Sequence, residues 1–82
     1  MNQVFIGLGS NIDDPLDRLS EAYQHLTAQA DLSATGLSKV YISSPQGPRD
    51  QPDFYNAVAG FTASLSPHKL LTTLLNIETA MG

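Results

Sequence analysis

The sequence contains no cysteine. That excludes a disulfide scaffold, a thiolate zinc site and a cysteine nucleophile. Cations are scarce: four Lys and Arg stand against eight Asp and Glu, for a net charge of −4. Such a balance argues against a basic nucleic-acid-binding face. It also limits what the chain can do with a polyphosphate, because Arg18, Lys39, Arg49 and Lys69 are widely spaced. Long apolar runs are missing too. None approaches the roughly 20 residues of a membrane span, and no charged-then-apolar leader opens the sequence. A reducing, cytoplasmic setting without membrane or nucleic-acid partners is the expectation. The length of 82 residues leaves room for one small domain, 1–82. A domain of that size buries only about 60–65% of the surface its unfolded chain exposes. What is present is an ordinary globular composition, with 41% hydrophobic residues, enough to argue against intrinsic disorder.

Gln3 to Leu8 reads as a short strand, rich in β-branched and aromatic residues and broken by Gly9-Ser10-Asn11. A helix follows. Asp14 suits its N-cap, Pro15 its first position and Asp17 its first turn, where the dipole favours a carboxylate. Leu16, Leu19, Tyr23, Leu26 and Ala30 form one apolar stripe, so the helix is expected to end near Ala30. Leu37, Val40 and Ile42 among polar neighbours predict a second strand over Gly36–Ser43. The stretch from Ser44 to Asp53, with three prolines and a glycine, is a loop. From Phe54 to Leu65 the alternation predicts a third strand. Tyr55, Ala57, Ala59, Phe61 and Ala63 share one face, and Phe54, Asn56, Val58 and Gly60 the other. Ser66 and Pro67 start a second helix with Leu70, Leu71, Leu74, Leu75 and Ile77 as its apolar face and Gly82 as a C-cap. The order β-α-β-β-α is an α+β, ferredoxin-like pattern lacking its final strand.

Several stretches could carry chemistry. Gly7-Leu8-Gly9-Ser10-Asn11 resembles the start of a phosphate-binding glycine loop, but Ile12 stands where a dinucleotide fingerprint needs glycine, and no Gly-Lys-Ser/Thr follows. On the pattern alone a tight turn with a helix cap is the favoured reading. Asp13 and Asp14 read as helix-start partners rather than a metal pair. His25 and His68 lack partners at ligand spacing, and no serine has an arranged base. Glu78 reads as a solvated helix charge. The most informative stretch is Gln51-Pro52-Asp53-Phe54-Tyr55-Asn56. There a flat ring and an amide stand two residues apart at a strand entry. Together they suit a flat heterocycle with an amide-like edge. Composition alone favours a core phenylalanine beside an asparagine that satisfies loop backbone.

The combined pattern resembles the N-terminal half of the 6-hydroxymethyl-7,8-dihydropterin pyrophosphokinase family. It rests on Gly9-Ser10-Asn11, Tyr41 with Ser43 to Pro45, Gly47-Pro48, Asp50 through Val58, Leu70-Leu71 and Ile77-Glu78. The resemblance implies a ferredoxin-like fold and transfer of pyrophosphate from ATP to the pterin hydroxymethyl in folate biosynthesis. It implies that Phe54 stacks on the pterin and that Asn56 bonds its pyrimidinone edge. By the same resemblance Ser43, Ser44 and Gln46 contact that ring, Gly9, Ser10 and Asn11 shape the floor, and Leu71 and Glu78 lie on the ATP side. Ser44, Gln46 and Leu75 depart from residues common in the family. The arginine-rich catalytic loop and the magnesium-binding Asp-x-Asp pair that the family carries next are not within 1–82. The expectation is therefore that this chain holds no catalytic or metal-binding residue, that ATP and Mg are cosubstrate and metal of the longer family protein, and that the 82-residue polypeptide is silent alone. Alternatives are a non-enzymatic ferredoxin-like ligand-binding or regulatory module, and an interaction domain that self-associates through an unpaired edge strand.

Overall fold

The computed structural model describes residues 1–44 and 51–81. Its elements are β1 (Asn2–Ser10), α1 (Pro15–Thr27), β2 (Leu32–Leu37), β3 (Tyr41–Ser43), β4 (Phe54–Ala63) and α2 (Pro67–Met81). All strand pairs are antiparallel. β4 is the central strand. It pairs with β1 along nearly its whole length, from Tyr55 opposite Ser10 to Ala63 opposite Asn2. Its other edge is shared by β2, near Ala63, and β3, near Phe54. The described residues form an α+β unit of four strands and two helices.

Alternation decides the faces. Ile6 on β1 and Ala57, Ala59, Phe61 and Ala63 on β4 are buried, while Gln3, Phe5, Gly7 and Gly9 are exposed on the opposite face. The two helices close over the buried face. Leu26 of α1, Leu32 at the start of β2 and Ile77 of α2 join Ile6 and Phe61 in one cluster, and Tyr23 tilts against Phe61 with ring centroids 6.1 Å apart. Phe61 and Leu26 are the largest fully buried side chains, each stabilising the fold by about 1.5–3 kcal/mol through removal from water. No helix among the described residues is long and apolar enough to cross a membrane.

The structure differs from the sequence reading in four places. First, the expected strand over Gly36–Ser43 is two strands, so the order is β-α-β-β-β-α. Ser38 causes the break. Its N–H donates to the Val58 carbonyl at 2.9 Å, and its hydroxyl accepts from the Val58 N–H at 2.8 Å. A side-chain oxygen thus takes the place of a ladder carbonyl and lets the chain turn before β3 resumes pairing. Second, β1 continues through Ser10, which pairs with Tyr55. Third, α1 ends at Thr27. The Ala28 N–H bonds the Gln24 carbonyl, the Gln29 N–H the Leu26 carbonyl and the Leu32 N–H the Gln29 carbonyl. This tightening drops Leu32 into the core. Fourth, both apolar helix faces are narrower than the leucine pattern implied: Leu16, Leu71 and Leu75 are 51–55% exposed.

The helix starts follow the proline signals. Pro15 opens α1 after Asp14, which occupies the N-cap without a side-chain capping bond. Ser66 does cap α2, accepting from the Lys69 N–H at 3.3 Å. Asp13 is left-handed at φ 52°, a conformation aspartate tolerates better than most residues, and it turns the chain from β1 into α1. The expected cap at Gly82 lies outside the described residues.

Candidate functional site

The end of the sheet where β1 finishes and β4 begins carries a cleft of about 530 Å³. Alternation places Ile6 and Leu8 on its sheet side, and the helices add Leu19, Leu26, Leu74 and Ile77, so the interior is apolar. Polar groups gather at the rim: Gly9, Ser10 and Asn11 from the β1 terminus, Arg18 from α1 and Glu78 from α2. Phe54, the first residue of β4 and 37% exposed, also lines it. Concave, mostly apolar sites with a few convergent polar groups suit small organic ligands.

Five of the expected site residues therefore meet here: Gly9, Ser10, Asn11, Phe54 and Glu78. Ser10 is tied locally, its hydroxyl accepting from the Ile12 N–H at 3.4 Å. Two others meet beside the cleft. The Asn56 side-chain N–H donates to the Ser43 hydroxyl at 3.1 Å. The β3–β4 register makes this contact, setting Ser43 opposite Phe54 and Tyr41 opposite Asn56. On its other flank Asn56 is paired with Gly9, and its Oδ1 lies 3.1 Å from where a Cβ on Gly9 would sit. Gly9 thus belongs to both the cleft and the amide group.

Three expected residues do not join these groups. Ser44 is exposed just past β3, and Leu71 is exposed on α2 away from the cleft. Leu74, one turn before Glu78, is the α2 leucine that lines the cleft. Gln46 lies outside the described residues.

Arg18 is the residue that sequence reasoning missed. It lines the cleft, and its Nη1 donates to the Met81 carbonyl at 3.2 Å, joining the first helix to the last turn of the second. Its position one turn from Ala22, another lining residue, was a signal available in the helical pattern. Among the described residues no three His, Cys, Asp or Glu side chains come together as a metal-binding group. His25 lies 3.8 Å from Glu21 on the outer part of α1, and His68 is exposed.

An antiparallel α+β unit with an apolar cleft, a ring lining it and an amide beside it has the form that suits a small organic ligand. Residues 5–82 match the family profile described as 7,8-dihydro-6-hydroxymethylpterin-pyrophosphokinase. The chain is 40% identical over 82 residues to the 2-amino-4-hydroxy-6-hydroxymethyldihydropteridine pyrophosphokinase of Haemophilus influenzae, covering all of this chain and 51% of that protein. It is 39% identical over 82 residues to the enzyme of the same name from Methylorubrum extorquens, covering all of this chain and 52% of that protein. It is 36% identical over 81 residues to the folic acid synthesis protein FOL1 of Dictyostelium discoideum, covering 99% of this chain and 12% of that protein. The chain belongs to the 7,8-dihydro-6-hydroxymethylpterin-pyrophosphokinase family. It spans about half the length of the bacterial relatives named here.

Proposed function

We propose that residues 1–82 are the pterin-holding, N-terminal part of a ferredoxin-like domain. The whole protein then transfers pyrophosphate from ATP to 6-hydroxymethyl-7,8-dihydropterin in the cytoplasm, as a step of folate synthesis. The observation that carries this reading is the arrangement at the start of β4. A half-exposed Phe54 ring stands at the mouth of an apolar cleft, and the Asn56 amide, two residues on, is fixed by Ser43. A pterin is a flat bicycle with a pyrimidinone edge. Phe54 supplies a face for it to stack on, and Asn56 supplies an acceptor and a donor for that edge. Ser43 and Ser44 are the ring's polar contacts in this reading, the expected contact of Gln46 lies outside the described residues, and Gly9, Ser10 and Asn11 form the floor. Glu78, which lines the cleft, marks the ATP side, and Leu71 would meet ATP only outside the cleft.

Pyrophosphoryl transfer depends on neutralising phosphate charge and on positioning. The described cleft residues include one cation, Arg18, already engaged with the Met81 carbonyl, and one anion, Glu78. Among the described residues they offer no donor set for magnesium. On this reading the 82-residue polypeptide on its own binds without turnover. One edge of β1 has no strand partner among the described residues, and self-association through it is part of this proposal.

Titration of the chain with 6-hydroxymethylpterin, followed by the fluorescence of the pterin itself, should give saturable binding that an amino-acid panel does not compete away. Incubation with ATP, magnesium and the reduced pterin should release no AMP above background. Absence of pterin binding overturns the assignment of the site, and AMP release at a native enzyme's rate overturns the assignment of the chain as a binder only.

A further inference from the structure

We propose that Arg18 is the C-terminal cap of α2, supplied in trans by α1, and that through the last turn of α2 it fixes where Glu78 stands on the rim of the cleft. Arg18 is then a positioning residue for a nucleotide on that side, not a contact to it. The nucleotide comes from the reading above, and the cap rests on the fold alone.

Arg18 stands at the wrong end of its own helix. It lies in the first turn of α1, next to Asp17, where the helix dipole favours an anion and disfavours a cation. The end of α2 has the opposite imbalance. Its last turn holds no basic side chain but does hold Glu78, although the dipole there favours a cation. The last carbonyls of a helix also lack donors within that helix. One side chain answers both needs. The Arg18 Nη1 donates to the Met81 carbonyl at 3.2 Å, in a partly buried bond that spans 63 positions. Among the described residues no carboxylate approaches Arg18 closely enough to pair with it, so the carbonyl does not compete with a stronger acceptor. Arg18, Glu78 and Met81 all line the cleft, and the spacing of three puts Glu78 and Met81 on one side of α2. Ile77 anchors α2 in the core cluster just before Glu78. Beyond it, Thr79 and Ala80 are exposed, and the helix is held by the Met81 side chain against the cluster and by Arg18 at the Met81 carbonyl. Glu78 is exposed, so its placement comes from the turn that carries it. A direct grip of the guanidinium on phosphate is the competing role, since four of its five donors are not used by Met81.

The test has a ligand-free arm and a ligand arm. In the ¹⁵N-labelled chain, relaxation should show Glu78, Thr79 and Ala80 as ordered as the middle of α2, with order parameters of about 0.85. Arg18→Met should lower them toward about 0.6 and leave β4 unchanged. Arg18→Lys, which keeps a cation and its donors, should restore most of the order. A last turn just as ordered in Arg18→Met overturns the cap. In the ligand arm, Arg18→Met should weaken the binding of ATP, followed by calorimetry, by about threefold to tenfold, the share of one hydrogen bond. Arg18→Lys should recover most of that loss. In a Glu78→Gln background, Arg18→Met should cost less than about twofold. An undiminished loss in that background means that Arg18 touches the nucleotide directly and overturns the positioning role. If the unsubstituted chain binds no ATP, the placement of Glu78 on the ATP side fails, and the relaxation arm still decides the cap.

Discussion

At the scale of single residues, the contrast between Phe61 and Phe54 shows how one amino acid serves two ends on one strand. Phe61 is 0% exposed and faces Tyr23, Leu26 and the helices. Phe54 is 37% exposed at the opposite end of β4 and outside the buried cluster. Phe61 lies in the cluster under the helices, whereas Phe54 opens the strand and lines the cleft. Their substitutions should therefore separate cleanly. Phe61→Ala removes a fully buried ring, at a cost of about 3–5 kcal/mol, a large share of the stability of any domain this small. Phe54→Ala should leave the thermal melt nearly unchanged and weaken pterin binding by roughly 1–3 kcal/mol, the scale of base–aromatic stacking. Phe54→Trp should retain it. The two measurements, melt and titration, check both halves. A Phe54→Ala chain that binds pterin as tightly as the parent removes the ring from the site.

Elements show which parts of the molecule local sequence could announce. The helix starts were legible because Pro15 and Pro67 punctuate them, and β4 was legible because small and large apolar residues alternate along it. Phe54 and Asn56 were legible as a pair because strand geometry alone gives two-residue spacing a meaning. The β2–β3 break was not, since it depends on Ser38 substituting its hydroxyl for a backbone carbonyl against Val58, a partner 20 residues away. Nor could the leucines of α2 reveal which of them the rest of the chain covers: Leu74 lines the cleft while Leu71 and Leu75 stay exposed. Arg18 was hidden for the same reason, because its partner Met81 lies 63 positions on. Each of these long-range bonds has a measurable consequence. Ser38→Ala strands the Val58 N–H at the strand junction and should cost about 1 kcal/mol. That lowers the melting temperature by roughly 4–8 °C and speeds exchange of the Val58 amide. Arg18→Met keeps the apolar stem but loses the donor to the Met81 carbonyl. It should release the last turn of α2, seen as faster exchange at Ala80 and Met81, with the amides of β4 unaffected. Equal loosening of β4 would show that Arg18 supports the core rather than the α1–α2 junction.

At the scale of the molecule, the described residues cover the sheet on one face and along part of its edges only. β1 offers nine residues, Asn2–Ser10, with no charge and no proline, the two devices by which exposed edges are usually protected. Phe5 stands 73% exposed on the uncovered face, over Gly60, and Val58 beside it is 44% exposed. The net charge of −4 resists association, but none of that charge lies on β1 itself. Edge pairing adds backbone hydrogen bonds and covers apolar surface together, whereas the opposing repulsion between distant surface charges is screened within about 10 Å at ordinary salt. The isolated 82-residue chain should therefore self-associate, with a mass in sedimentation equilibrium that rises with protein concentration. Phe5→Lys places a charge on the edge strand without touching the cluster formed by Ile6, Leu26 and Phe61, and should return the chain to monomer while pterin binding persists. The same substitution separates the causes: if Phe5→Lys remains associated, the contact does not run through β1. A parent chain that is monomeric at every concentration, and melts cooperatively above the mesophilic range of about 45–65 °C, shows that the half-covered sheet is sufficient by itself.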